Sequence, residues 1–286
     1  MTSASQPDAS LLIGMTLSAA SEIEPAMDIA AEQGFNAVEV HVSQLSPSRL
    51  VVRTTPAHAG AVFDALAERH LQPSTLNATG YADFDPHSGP EAWERSCEAV
   101  AHLLRVAAAM HAPRLLLWDG IVSNWAGEES ATDVLLACLD EGRIRSGLSD
   151  IPEISLELHT FTYVLKHGVL TNFARRLGEA PGIGVCLDFC HFGVALGPKF
   201  HESLTEDVLQ VVDHIHFADT DCLTSEFHFP PGRGVLDLSL LADLLAGRGL
   251  AAAWDLFSWP TPAMAVAQSF DAYRHFVNAI NLRVEV

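Results

Sequence analysis

The sequence predicts an α/β protein: a single-domain (β/α)8 barrel of parallel strands wrapped by helices. Three observations carry this. Short apolar runs alternate with amphipathic stretches along the whole chain, which is the pattern of repeated strand-plus-helix units. Eight such runs can be counted, enough to close a ring instead of leaving an open sheet. The chain has 286 residues, 49% of them hydrophobic, sufficient for one large core. The runs are Leu11–Thr16, Ala37–Val42, Gln72–Asn77, Arg114–Asp119, Ile154–His159, Gly182–Asp188, His214–Phe217 and Ala251–Phe257. Each is followed by a segment long enough for a helix.

Helix punctuation agrees with this parse. Ser21-Glu-Ile-Glu24 reads as a capping box, Gly34 as the end of that helix, and Thr55-Pro56 as the cap and first turn of the next. The Gly-, Pro- and Ser-bearing stretches at 83–90, 124–130 and 230–234 read as strand-to-helix loops, where a barrel carries its specificity. No composition shift marks a linker, so residues 11–286 form one domain after a flexible start at 1–10.

Composition excludes several functions. The formal net charge is −20, with 16 Lys plus Arg against 36 Asp plus Glu, and a nucleic-acid backbone requires the opposite surface. The five cysteines (Cys97, Cys138, Cys186, Cys190 and Cys222) form no CxxC pair, which fits a reduced cytoplasm. The N-terminus lacks the features of a secretory signal, and no run approaches the roughly 20 apolar residues of a membrane span. Lys166 and Lys199 are the only lysines and neither falls on a predicted strand, so a Schiff-base aldolase lacks its nucleophile. Neither GxxxxGK[ST] nor a strand-following GxGxxG is present to cradle a nucleotide.

Chemistry gathers at the ends of four successive runs in the second half: Glu157, Asp188, His216 and Asp255. A barrel brings such positions to one mouth, and carboxylates converging with an imidazole suit a divalent metal and not an apolar core. Each also has a structural alternative. Glu157 could pair with an arginine or hydroxyl in the core, Asp188 could cap the following helix, and Asp255 could cap a helix or close the barrel with an ion pair. Glu157 and His159, two apart on a predicted strand, share a face, and His159 is either a substrate-side or orienting imidazole or a core one. In Asp188-Phe-Cys-His191 the spacing suits a ligand followed by a substrate-contacting histidine. In His214-Ile-His216-Phe-Ala-Asp219 one histidine can coordinate while the other orients, and Asp219 can brace a ring nitrogen. The turn at 230–234 could carry His228 and Arg233 over the mouth, with a solvated loop arginine as the other reading of Arg233. Cys186 and Cys190 read as packing thiols.

These residues together resemble the xylose isomerase-like barrels, the sugar (phosphate) isomerase/epimerase superfamily. Its members include ketose 3-epimerases, inosose isomerases and dehydratases, and endonuclease IV. The resemblance spans the chain through Ile13-Gly14-Met15, Phe35-Asn-Ala-Val-Glu39, Glu157-Leu-His159, Leu187-Asp188-Phe-Cys-His191, His214-Ile-His216-Phe-Ala-Asp219, Pro231-Gly-Arg-Gly-Val-Leu-Asp237 and Trp254-Asp255-Leu-Phe257. It implies Glu157, Asp188, His216 and Asp255 as ligands of one divalent metal. Glu157 and Asp255 would be the catalytic acid–base pair, and His191 would touch the substrate. Glu39, His159, Asp219, His228 and Arg233 are assigned to the substrate side with it. Members commonly carry Glu at the last position, where this chain has Asp255.

The implied activity is a metal-dependent isomerase or epimerase acting on a sugar, inosose or related hydroxy-carbonyl polyol through enediolate proton transfer. A dehydratase or lyase on a similar substrate is the alternative within enzymes. A noncatalytic sugar-binding barrel or subunit is the alternative outside them. Three carboxylates and one imidazole favour Mn2+ over Mg2+, Co2+ or Zn2+. The expected partner is a small carbohydrate, with no nucleic acid or membrane and a homo-oligomer allowed.

Overall fold

A computed structural model describes residues 13–17, 23–45, 54–81, 83–122, 128–224 and 227–281. Eight parallel strands close into a barrel in sequence order: β1 (Gly14–Thr16), β2 (Ala37–His41), β3 (Gln72–Asn77), β4 (Arg114–Trp118), β5 (Glu153–Glu157), β6 (Ile183–Asp188), β7 (Val212–Phe217) and β8 (Ala251–Trp254). Around them run α1 (Ile23–Glu32), α2 (Pro56–Glu68), α3 (Pro90–Ala109), α4 (Glu128–Ser146), α5 (Tyr163–His167), α6 (Leu170–Leu177), α7 (Phe189–Leu196), α8 (Glu206–Val211), α9 (Leu238–Leu245) and α10 (Pro262–Asn281). The predicted fold class and all eight strand positions are therefore present. The expected capping box at Ser21 and the expected flexible start lie outside the described residues.

Local chemistry explains the elements that the sequence anticipates. Thr55 caps α2 by accepting from the His58 N–H, with Pro56 in the first turn. Gly34 ends the turn after α1 at φ +89°, a conformation that L side chains disfavour. At the seam where β1 meets β8, a Cβ on Gly14 would lie 2.8 Å from the Ala252 carbonyl oxygen, so glycine is what lets the ring close there.

Two strands end two or more residues sooner than expected. β5 stops at Glu157, and His159 sits in the turn beyond it, its N–H bonded to Thr162 Oγ1 at 2.9 Å. β8 stops at Trp254, which alternation turns outward instead of toward the mouth. Its ring stacks on Tyr273 of α10 at 5.5 Å and meets Phe35 at 6.4 Å. Tyr273 then donates to the Ala252 carbonyl at 2.8 Å, tying α10 to the seam. Trp254 thus belongs to a packing cluster behind the strand.

Inside the lower end of the barrel, Arg114 and Ser155 hold Asp213 at 3.2 and 2.6 Å. A Cβ on Gly184 would collide with this carboxylate. The register shift opposite β7, between Val185 and Cys186, admits Asp213 below and still aligns Cys186 with His214 and Asp188 with His216. The polar side chains of the upper layer inherit their positions from that register.

Asp119, just past β4, is fully buried and accepts from the Val164 N–H at 2.5 Å, joining β4 to α5. Burial pushes its carboxyl from the ordinary 3.8 up to about 7, against the opposing hydrogen bonds from Thr162 and Val164. Between those pH values the folded state holds a proton that the unfolded chain has released. The stability contributed by neutral Asp119 is therefore full below the lower value and is lost as pH rises through the upper one, at up to about 1.4 kcal/mol per pH unit. Asp119→Asn should flatten this decline, a comparison that urea denaturation from pH 4 to pH 8 measures.

Candidate metal centre

The strand ends converge as the parallel topology requires. Glu157 ends β5, Asp188 ends β6, His216 lies one residue before the end of β7, and Asp255 follows β8, held by its N–H to the Phe217 carbonyl at 3.1 Å. All four are buried, at 4%, 0%, 0% and 6% exposure, so their charge must be met inside the protein.

His216 is at the middle of the group. Its Nδ1 is 2.7 Å from Glu157 Oε1, 3.3 Å from Asp188 Oδ2 and 3.7 Å from Asp255 Oδ2. Yet His216 Nδ1 and Asp188 Oδ2 have no hydrogen-bond partner, because these contacts lack in-line geometry. Donor atoms crowded about 3 Å apart and aimed past one another are what surrounds a cation with bonds of about 2.1 Å. Glu157, Asp188 and His216 thus offer a compact three-donor cluster, and Asp255 stands at its edge. The residues fit a divalent ion.

The other face of His216 is fixed from beneath. Its Nε2 contacts Glu39 at 3.0 Å, and His214 Nε2 contacts the same carboxylate at 2.9 Å. Asn77 Nδ2 and Thr16 Oγ1 both donate to Glu39 Oε1, at 2.8 and 3.3 Å. Glu39 is completely buried, so its assignment to the substrate side is corrected: it is a positioning residue below the centre. His214 occupies the same lower layer.

Asp188 divides its two oxygens between roles. Oδ1 caps α7 by accepting from the His191 N–H at 2.8 Å, while Oδ2 faces the cluster. The capping alternative and the metal-facing geometry therefore coexist in one side chain. The short turn places His191 Nε2 at 3.9 Å from both Glu157 Oε1 and Asp188 Oδ2. His159 stacks on His191 at 3.8 Å and on Phe161 at 3.8 Å, extending an aromatic wall to Trp118. Trp118 Nε1 donates to Glu157 Oε2 at 3.2 Å.

His228 returns to the site through a chain reversal. The Asp219–Phe229 bridge folds the loop back, and the His228 N–H bonds the Phe257 carbonyl at 3.1 Å. Its ring is buried with Nδ1 at 3.3 Å from Asp255 Oδ2. Asp188, His191 and His228 form a second group able to hold an ion.

Two expected site residues lie elsewhere. Asp219 braces no imidazole; its oxygens accept from the N–H groups of Thr220, Gly232, Gly234 and Leu236 at 2.9–3.2 Å, which fixes the 230–234 turn. A side chain at Gly234 would overlap Asp219 and Thr220, so this turn demands glycine. Arg233 is exposed on that turn, outside the buried cluster.

The electrostatics follow from burial among mixed charges. Burial disfavours the imidazolium of His216, but Cys186, Glu39 and Glu157 outweigh it and hold the ring well above its ordinary range. His228 is raised in the same way by Asp188 and Asp255. His191 goes down, because burial there outweighs Asp188 and Glu157. Burial would raise Glu39, Glu157 and Asp188, but the surrounding histidines reverse that and keep all three low. Among the described residues, no lysine or arginine pairs with Glu39, Glu157, Asp188 or Asp255; only histidines do.

The sequence reading missed Thr16, Asn77 and Trp118. All three end strands that it had located, and strand-end position was the signal that could have found them.

A profile of the xylose isomerase-like TIM barrel matches residues 27–274. The chain belongs to this family. Three solved structures share its fold. D-Psicose 3-epimerase from Clostridium cellulolyticum H10, in complex with D-tagatose, shares 12% identity at a TM-score of 0.70, covering 94% of this chain and 98% of that one. The probable 3-DHS dehydratase AsbF of Bacillus anthracis shares 12% at 0.68, covering 91% and 98%. Endonuclease IV of Thermus thermophilus shares 16% at 0.64, covering 93% and 98%. No curated protein matches the sequence.

The two layers separate by mutation. His216→Ala should abolish metal binding at the centre, whereas His214→Ala should keep its metal with affinity lowered about tenfold to a hundredfold. Elemental analysis of both purified variants tests the order; metal lost from His214→Ala but retained in His216→Ala would reverse it.

Proposed function

We propose that this barrel is a divalent-metal-dependent isomerase or epimerase acting on a sugar, inosose or related hydroxy-carbonyl polyol. One observation carries the reading: Glu157, Asp188 and His216 bring donor atoms together at one buried point at a barrel mouth, those of Asp188 and His216 without a hydrogen-bond partner. Glu157, Asp188, His216 and Asp255 would hold the ion, with Mn2+ favoured by the oxygen-rich set. When bound, the ion acidifies a carbon–hydrogen bond next to a carbonyl.

The protein's own groups would do the rest. Glu157, kept ionised by His216 and His191, is a base; the Trp118 N–H on Oε2 fixes its carboxylate plane. Asp255 follows β8, three strands round the ring, so a substrate carbon above Asp188 and His216 has a carboxylate on either side. That placement suits removal of a proton from one face and delivery to the other. His191, kept neutral by burial, can hydrogen-bond a substrate oxygen, and His228 Nδ1 lies 3.3 Å from Asp255 Oδ2. The cluster's lack of lysine and arginine partners favours an uncharged polyol over a phosphorylated one.

A dehydratase is the second reading, and Asp255 is its motive. Phe257 N–H fixes Oδ1 at 3.0 Å and His228 flanks Oδ2, leaving a short side chain little freedom to reprotonate a far face. The same enolate beside a leaving hydroxyl then eliminates.

Incubation of the Mn2+-loaded protein in D2O with a ketose and inosose panel should place deuterium at the carbon next to the carbonyl. Glu157→Gln should slow exchange by about 10²–10⁴-fold with metal still bound. Asp255→Asn should suppress epimer formation more than exchange. Absence of exchange with every substrate offered to the metal-loaded protein would defeat the proposal, and a dehydrated product would shift it to the second reading.

A further inference from the structure

Beside the centre, where the chain leaves β3 and β4, the structure contains a cavity of about 330 Å³. Gly80, Tyr81, Phe84, Trp118 and Ile121 supply apolar lining, with Asp85 among the few polar residues. Among the described residues, no lysine or arginine lines it. The volume is that of a small-molecule subsite, and its walls suit a flat apolar group.

Trp118 is shared between this cavity and the centre. Its Nε1 reaches Glu157 at 3.2 Å, while its six-membered ring faces Gly80, where a Cβ would lie 3.5 Å from the outer carbons. Gly80 has φ +70°, so its backbone can lie against the indole without a side chain intervening. Phe161 packs edge-on against Trp118 at 5.1 Å, continuing the aromatic surface. A ligand with one end over Glu157 can therefore place its other end against the far edge of the same ring. At the lip Ile121 is 45% exposed, an apolar side chain with water on one side and the cavity on the other. Asp85 also lines the cavity, bringing a carboxylate to which a donor on the ligand can bond.

We propose that this cavity binds a flat apolar substituent of the substrate, an aryl group carrying a hydrogen-bond donor such as a phenolic hydroxyl. The substrate is then an aryl-substituted hydroxy-carbonyl polyol, such as an aryl glycoside with its carbonyl away from the anomeric carbon, and not a free sugar. The proposal rests on the carbohydrate reading of the centre and adds a second recognition element to it. The polyol lies over the buried carboxylates and histidines, the ring lies between Trp118 and Phe84, and the ring hydroxyl meets Asp85.

Calorimetric titration of the Mn2+-loaded protein with the methyl, phenyl and 4-hydroxyphenyl glycosides of one keto sugar, its carbonyl away from the anomeric carbon, tests this directly. The phenyl glycoside should bind at least about tenfold tighter than the methyl one, and the hydroxyphenyl glycoside tighter again. Ile121→Asp should bring the phenyl-to-methyl ratio toward one, and Asp85→Ala should bring the hydroxyphenyl-to-phenyl ratio toward one. If Ile121→Asp does not fold, Phe84→Leu, which shortens the ring contact, should lower the same ratio. Equal affinity for all three ligands, or an aryl preference unchanged in the lip and Phe84 variants, would overturn the proposal. Deuterium exchange on the same protein separates the two claims: exchange without aryl preference defeats the cavity assignment alone, whereas aryl preference without exchange supports the cavity and defeats the proton-transfer reading.

Discussion

One buried carboxylate supports the rest of the site. Glu39 has no solvent exposure, so its charge depends on Thr16, Asn77, His214 and His216 around it. An unpaired charge at that depth would cost several kcal/mol. Satisfying it fixes the His216 ring from below and leaves Nδ1 directed at Glu157, Asp188 and Asp255. The upper layer is ordered because the lower layer is neutralised.

Histidine performs that neutralisation where arginine or lysine would defeat the purpose. A fixed cation beside Glu157 and Asp188 would occupy the charge that a divalent ion needs. Imidazoles surrender their protons when a cation enters, so the cluster is stable by itself and still receptive. The raised His216 and His228 and the lowered Glu39, Glu157 and Asp188 are two sides of this one balance. The −20 chain carries its cations elsewhere, as in the Arg145 cluster with Glu94, Glu98 and Glu141 on α3 and α4.

The aromatic wall sets the boundary of this charged space. Trp118, Phe161, His159 and His191 run in contact from the apolar cavity to the carboxylates. Trp118 joins both ends chemically, since its N–H serves Glu157 and its benzo edge faces Gly80. The cavity lining and the orientation of the Glu157 carboxylate therefore share a single side chain.

The barrel was legible in the sequence because eight apolar runs at regular intervals have few ways to bury their faces, and parallel strands place their C-terminal ends together. This is why Glu157, Asp188, His216 and Asp255 could be read as neighbours although nearly a hundred residues separate the first from the last. What escaped was whatever depends on contacts between strands instead of position along one. Glu39 sits in the middle of β2, and only ring closure brings its side chain to about 3 Å from the β7 histidines and makes a substrate candidate a buried support. Asp219 and Arg233 read as site residues by proximity in sequence, until the loop reversal committed Asp219 to four backbone N–H groups and left Arg233 outside. The sequence by itself determined the strand count and the residues delivered to the mouth, because hydrophobic period and spacing are local properties. Only the tertiary structure decided which of them support, which face the centre and which turn away, because hydrogen bonds and charge pairing are settled between strands distant in the chain.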